Sequence, residues 1–181
     1  MFTKIFKRIL KSIFKKFGLQ ISPIENYNLK FHFVESNSFE REIINTCRNY
    51  SMTGDIRMWC LIQSFKYVIN NNIEGDFVEC GVWKGGNLIL LQKLIEKYNV
   101  TSKKIFGFDT FDGMQEPSDV DIDCWGNKIK NVLQTQEKNK DVDNIWSYSP
   151  IEDVKNNYSK NTIKNNNLIL IKGKVEDTLP R

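Results

Sequence analysis

Apolar residues recur at helical spacing near the start of the chain. Phe2, Ile5, Phe6, Ile9, Leu10, Ile13, Phe14 and Phe17 fall on one side, with most of the lysines opposite. That pattern predicts an amphipathic helix over residues 1–20. Residues 21–38 hold Pro23 with several Asn and Ser and read as a linker, so 21–44 is taken as linker and the start of a helical cap. Helical spacing returns over 39–50 and over 56–71, where the apolar face runs through Ile56, Trp59, Cys60, Ile62, Phe65, Val68 and Ile69. The rhythm then changes. Gly75 and Asp76 make a turn, Phe77 to Cys80 form a short, mostly apolar run, and 81–86 is rich in glycine. Residues 87–98 are helical again through Leu88, Leu91, Leu94, Ile95 and Tyr98. Lys104 to Phe108 is a second strand, ending at Asp109, and a loop with Gly113 and Pro117 follows. An acidic, irregular stretch runs from Ser118 to Gly126; Ile151 to Tyr158 reads as a helix begun near Pro150, and Asn167 to Ile171 as a third strand closed by Gly173. Strands alternating with helices predict an α/β fold with a parallel sheet.

A chain of 181 residues suits one domain with a sizeable core. Its net charge of +4 hides a segregation. Lys4, Lys7, Arg8, Lys11, Lys15 and Lys16 place six cations and no acid in the first 17 residues, leaving 20 basic against 22 acidic residues, a net of −2, in the rest. A general nucleic-acid footprint is therefore excluded. Lysines interrupt every apolar run of residues 2–17, so the segment is too polar to span a bilayer. It also lacks the apolar core and small-residue cleavage site of a secretory signal. Two readings stand: a helix lying in an anionic membrane surface, or one packing on the body of the protein or on a partner subunit.

The four cysteines, Cys47, Cys60, Cys80 and Cys124, form no CxxC pair, and one His in the chain rules out a usual zinc cluster. Cys60 and Cys80 sit in apolar sequence and are expected to be small core residues, in keeping with a reduced, cytoplasmic location. His32 lies in the linker without an identifiable partner and is expected to be structural or exposed.

The chemistry concentrates in residues 75–86, read as strand, glycine loop and helix. A strand ending in Glu79-Cys80-Gly81 and feeding a helix after Gly85-Gly86 lets backbone approach a ligand, and N–H groups at the helix start can meet a carboxylate or phosphate. An ordinary tight βα turn explains the same residues. The spacing E-x-G-x-x-x-G-G is not G-x-G-x-x-G, which argues against a nicotinamide-dependent enzyme. Asp109 closes the second strand, where a carboxylate can accept hydrogen bonds from both hydroxyls of a ribose or can cap a turn. Asp119, Asp121 and Asp123 alternate like the start of a calcium loop, but Cys124 stands where an EF-hand needs Gly and no Glu closes it, so the stretch reads as a solvated loop.

The runs SMTG (Ser51 to Gly54), GDFVECGVWKGG, FGFDTFDGM and GKVEDTLP together resemble the macrocin O-methyltransferase family of sugar methyltransferases, over roughly residues 45–181. The resemblance implies a Rossmann-like class I methyltransferase fold of which this chain carries the first three strands, with S-adenosylmethionine as cofactor. It places Glu79, Gly81, Val82 and Trp83 at the methionine end of the cofactor, and Asp109, Thr110 and Phe111 near its ribose and adenine. Met52 and Thr53 would reach in from the preceding segment, and Lys174 and Val175 would sit beside the adenine, although the family often has an aromatic where Lys174 stands. It also implies a fourth strand past TLP whose acidic residues bind magnesium and help deprotonate a sugar hydroxyl. The chain stops at Arg181, so the expectation is a truncated frame, a fragment or one part of a split protein, without its metal ligands and inactive or slow alone. The implied substrate is a small molecule or glycan; a homo-oligomer is compatible with the sequence. The alternative is a non-catalytic cofactor-binding or membrane-surface module.

Overall fold

In the computed structural model, residues 10, 12–18, 35–141, 144–163 and 167–179 are described. The chain divides into two compact units, Met1–Ser36 and Asn37–Arg181. In the first, residues 12–16 are helical, and the Gly18 N–H donates to the Lys15 carbonyl at 3.2 Å. The rest of the expected amphipathic helix, His32 and most of the expected linker lie outside the described residues.

The second unit opens with helix α1 (Ser38–Cys47) and a single 3-10 turn (Arg48–Tyr50), followed by α2 (Asp55–Asn70). The expected linker over 21–38 thus gives way to helix at Ser38, one residue before the helical spacing read from the sequence. Asn37 sets that start: its Oδ1 accepts from the Glu40 N–H at 2.9 Å, and Glu40 Oε2 accepts from the Asn37 N–H at 3.1 Å. This reciprocal cap satisfies two amides that a helix start otherwise leaves unpaired. Glu40 is buried, and its other oxygen pairs with the Lys66 ammonium of α2, locking the two helices together. Arg48 grips Asp55 in the first turn of α2 through both carboxylate oxygens.

The core stripe of α2 is Met58, Ile62 and Phe65, which share a face at i, i+4 and i+7. It differs from the face expected: Ile56 and Cys60 are exposed. Phe65 stacks on Phe77 with ring centroids 5.2 Å apart and so joins α2 to strand β1 (Phe77–Cys80). The chain is steered into β1 by Lys103, whose buried ammonium donates to the carbonyls of Ile73 (2.7 Å) and Gly75 (2.6 Å).

Helix α3 (Gly86–Lys97) leads to β2 (Ile105–Asp109); a long excursion with the short helix α4 (Ile129–Leu133), then α5 (Ile151–Asn161), leads to β3 (Leu168–Lys172) and α6 (Val175–Thr178). The strands form one parallel sheet in the order β1-β2-β3, in register Phe77↔Ile105 and Ile105↔Leu168. The alternation read from the sequence therefore gives the expected architecture, with three strands among the described residues.

Helix α3 is the centre of the unit. Leu88 to Gln92, Leu94 and Ile95 are all buried, so it is covered on nearly every side rather than along one stripe. Its buried Gln92 accepts from the Tyr158 hydroxyl of α5 at 2.8 Å and donates to Glu96 at 3.1 Å, so the polar atoms carried inward are paired. Burial pushes the Tyr158 hydroxyl pKa up.

Cys47 is the buried thiol, pushed up to about 12 by burial and therefore unreactive. The core role expected for Cys60 and Cys80 is corrected, since both are exposed. Cys80 shares with Val78 the open face of β1, while Phe77 and Glu79 take the covered one. Apolar sequence cannot say which face of a strand will be covered.

Candidate functional site

A cleft of about 590 Å³ opens beyond the carboxyl ends of the strands, where open α/β sheets place their ligands. Gly81, Trp83, Asp109, Thr110, Lys174 and Val175, six of the residues singled out in the sequence, line it together. Gly81, with φ of 86°, opens directly onto this space. A Cβ built there meets nothing within 4 Å, so any side chain at this position would fill the cleft instead of the core.

Asp109 organises the turn. Its Oδ2 accepts from the N–H groups of Val82 (2.6 Å) and Trp83 (3.1 Å), and its Oδ1 from the Phe111 N–H (2.8 Å). Of the two roles open to it in the sequence, the structure shows the capping one, and the carboxylate also reaches the cleft wall. The Val82 and Trp83 amides of the glycine loop, ahead of the helix start at Gly86, thus meet a carboxylate supplied by the chain itself. Val82 and Phe111 are buried and enter the site through these backbone groups. Trp83 and Phe111 adopt left-handed backbone, φ 49° and 52°, conformations sustained only where surrounding contacts hold them.

A second cluster lies behind the turn. Asn87, in the first turn of α3, donates from Nδ2 to Glu79 Oε1 at 2.8 Å and to Thr53 Oγ1 at 3.4 Å. Glu79 Oε2 and Asn87 Oδ1 are buried without a hydrogen-bond partner among the described residues. Burial pushes the Glu79 pKa up to about 7, against the Asn87 hydrogen bond, which lowers it, and with a smaller push from the Asp109 charge. Glu79, Val82, Phe111, Met52 and Thr53 do not line the cleft; the structure puts them in the layer that supports it. Met52 reaches the cleft's margin through the Ser147 hydroxyl, which donates to its sulfur at 3.7 Å.

Two glycines explain the spacing of the motifs. At Gly86 an added Cβ would lie 2.5 Å from Ser51 Cβ and 2.8 Å from the Tyr50 carbonyl oxygen, so the 50–53 segment sits directly on the start of α3. Gly86→Ala is expected to cost about 1–3 kcal/mol despite alanine's better helix propensity, because backbone has to move. Thermal unfolding checks this, with Gly54→Ala, where a Cβ meets nothing within 4 Å, as control. At Gly113, φ is 78° and a Cβ would collide with the Trp146 carbonyl, which accepts from the Met114 N–H at 2.7 Å. The glycine after Asp112 therefore docks the 144–148 segment that supplies Ser147.

Sequence reasoning missed Asn87 and Ser147. Asn87 directly follows Gly85-Gly86, and its place one residue into a helix that packs against a strand-end glutamate was a usable signal. Ser147 had none, because only folding brings it to the cleft. The 118–126 stretch is the solvated loop expected. Asp123 accepts from the Asn127 side-chain amide (2.8 Å) and from the Asn127 and Trp125 N–H groups (2.8 and 2.9 Å), Asp121 accepts from the Ser118 hydroxyl and N–H, and both carboxyls are held below their ordinary pKa by these bonds. Among the described residues, no group of three or more His, Cys, Asp or Glu side chains could hold a metal ion.

With that geometry in view, residues 34–181 match the profile of the family described as Macrocin-O-methyltransferase (TylF). The chain belongs to the macrocin O-methyltransferase family. The match begins eleven residues before the resemblance read from the motifs, and so takes in α1 and its cap. Relatives in the family include demethyldecarbamoylnovobiocin O-methyltransferase of Streptomyces niveus, 27% identical over 149 residues, covering 80% of this chain and 53% of that protein. A tetracenomycin 4'-O-methyltransferase of Streptomyces olivaceus, whose named substrate carries a dimethoxyrhamnosyl group, is 24% identical over 131 residues, covering 72% and 46%. Mycinamicin III 3''-O-methyltransferase of Micromonospora griseorubida is also 24% identical over 131 residues, covering 72% and 48%. The solved structure of the O-methyltransferase NovP superposes with a TM-score of 0.59 at 25% identity, over 72% of this chain and 50% of that one. The fold is accordingly the Rossmann-like α/β fold of class I methyltransferases. The chain spans about half the length of the curated relatives it matches.

Proposed function

We propose that this chain forms the S-adenosylmethionine-binding part of an O-methyltransferase that acts on a hydroxyl of a sugar or glycosylated metabolite. The observation that carries the reading is the cleft at the strand ends, with Gly81 opening it and the Asp109-pinned turn forming one wall. Family membership and the O-methyltransferase names of the relatives support the methyl transfer; the acceptor class rests on those names alone.

The residues present fit the cofactor. Phe108, Trp83 and Met114 give the cleft apolar surface, while Thr110, Gln115, Lys174 and Glu176 bring polar groups to its rim. Bound there, S-adenosylmethionine would supply an electrophilic methyl group for in-line displacement by an oxygen nucleophile. The chain's own contribution is positioning, the largest lever in such a transfer. A turn cross-tied by one carboxylate holds two loops in a fixed relation before any ligand arrives. Magnesium belongs to the proposal only through the family resemblance.

Calorimetric titration of the purified chain with S-adenosylmethionine, with NAD as control, tests the assignment. Binding of the first alone is the expected result. Binding of NAD, or of neither, would remove the cofactor site from this chain.

A further inference from the structure

The first unit, in all but its last three residues, precedes the region matched by the methyltransferase family, which starts at residue 34. Its described part is a helical stretch, residues 12–16, with Phe17 and Gly18 in the turn that follows. Leu10, Ile13, Phe14 and Phe17 recur at i, i+3, i+4 and i+7, the spacing that sets side chains on one helix face. Three of the four are exposed: Ile13 by 46%, Phe14 by 36% and Phe17 by 77%. Lys15 and Lys16 fall on the opposite side at this spacing and are exposed too.

Charge decides what such a face fits. Six cations and no acid occupy the first 17 residues, while the remaining chain has a net charge of −2. A surface that is both apolar at depth and negative at its boundary matches both halves of that pattern, and an anionic phospholipid bilayer is such a surface. Lysines interrupt every apolar run of residues 2–17, so the segment is too polar to cross a membrane and the contact is one of lying in the interface. We propose that residues 1–17 dock the protein on anionic phospholipid bilayers, with Phe14 and Phe17 entering the acyl boundary and the lysines meeting the headgroups. The inference is independent of the methyl-transfer reading.

The test is co-sedimentation of the full chain with vesicles of phosphatidylcholine, with and without phosphatidylserine, at low and high salt. Binding is expected only to the vesicles containing phosphatidylserine, and is expected to weaken more than about tenfold in high salt as the charges are screened. Each lysine near such a surface contributes about fivefold, so the Lys15→Gln/Lys16→Gln double variant is expected to bind roughly 25-fold more weakly. Phe14→Ser/Phe17→Ser is expected to lose binding while its thermal unfolding midpoint stays that of the parent, which shows that the folded body is intact. The proposal is overturned if the chain fails to bind anionic vesicles, as it would were the segment built for an acidic protein partner. Equal binding to neutral vesicles, or either double variant binding like the parent, overturns it as well.

Discussion

Asp109→Ala is expected to abolish S-adenosylmethionine binding and to lower the unfolding free energy by about 3–5 kcal/mol. The loss is large because one side chain serves three backbone amides, those of Val82, Trp83 and Phe111. Val82 and Phe111 are buried, so water reaches their amides poorly, and each unpaired group costs about 1–3 kcal/mol. Released, Trp83 and Phe111 would leave their left-handed backbone and the cleft wall would lose its shape. Asp109→Asn separates charge from geometry: its one acceptor oxygen can keep some of these bonds while its amide turns a donor toward the rest. It is expected to recover stability only in part. Urea unfolding and calorimetric titration of both variants provide the check, and an alanine variant with the wild-type midpoint would show that the turn does not depend on the carboxylate.

Glu79→Gln is expected to do the opposite, with an effect that grows as pH rises from about 4.5 to 7. Glu79 has its folded pKa raised from the ordinary 4.5 to about 7, chiefly because burial disfavours the charged form. An acid raised in the folded state binds its proton more tightly there than in the unfolded chain. Its contribution to stability is therefore complete below about 4.5 and is lost as pH rises through 7. The loss is on the order of 3 kcal/mol for a shift of this size. The neutral amide carries no such penalty, so parent and variant are expected to melt together at about pH 4 and to diverge at about pH 8, with the variant the more stable. Thermal unfolding at the two pH values checks it; a variant that is less stable at the higher pH would mean that the bond from Asn87 outweighs the burial cost of the carboxylate.

The three strands and the main helices were legible because each is a run long enough to show its period. β1 over Phe77–Cys80 matches to the residue, and the glycine pair that starts α3 fixed the turn between them. The short helices α4 and α6, five and four residues long, hold too few positions to display a period and were not seen. Faces were harder than elements. Ile56 was placed on the apolar face by helical spacing and Cys60 and Cys80 in the core by their apolar surroundings, yet burial depends on what packs opposite, and that lies elsewhere in the chain. The candidate site divides in the same way. Family motifs named residues that the fold does bring to one place, but only three-dimensional contacts distinguish the six that line the cleft from Glu79, Val82, Phe111, Met52 and Thr53, which support it. The link from Asn87 to Glu79 and Thr53 joins two separate motifs through a residue outside both, and no local pattern carries it.

The enclosure of α3 has a consequence for how the domain comes apart. Its neighbours α1 and α2 precede it in the chain while β2 and α5 follow it, and all pack on the same twelve-residue helix. Partial melting of either side would strip this helix of half its cover, so the early helices and the ligand cleft should be lost in a single cooperative transition. Damage far from the cleft, at the Glu40–Lys66 pair for example, would then be felt there as a smaller population of folded molecules and not as a change in the cleft itself.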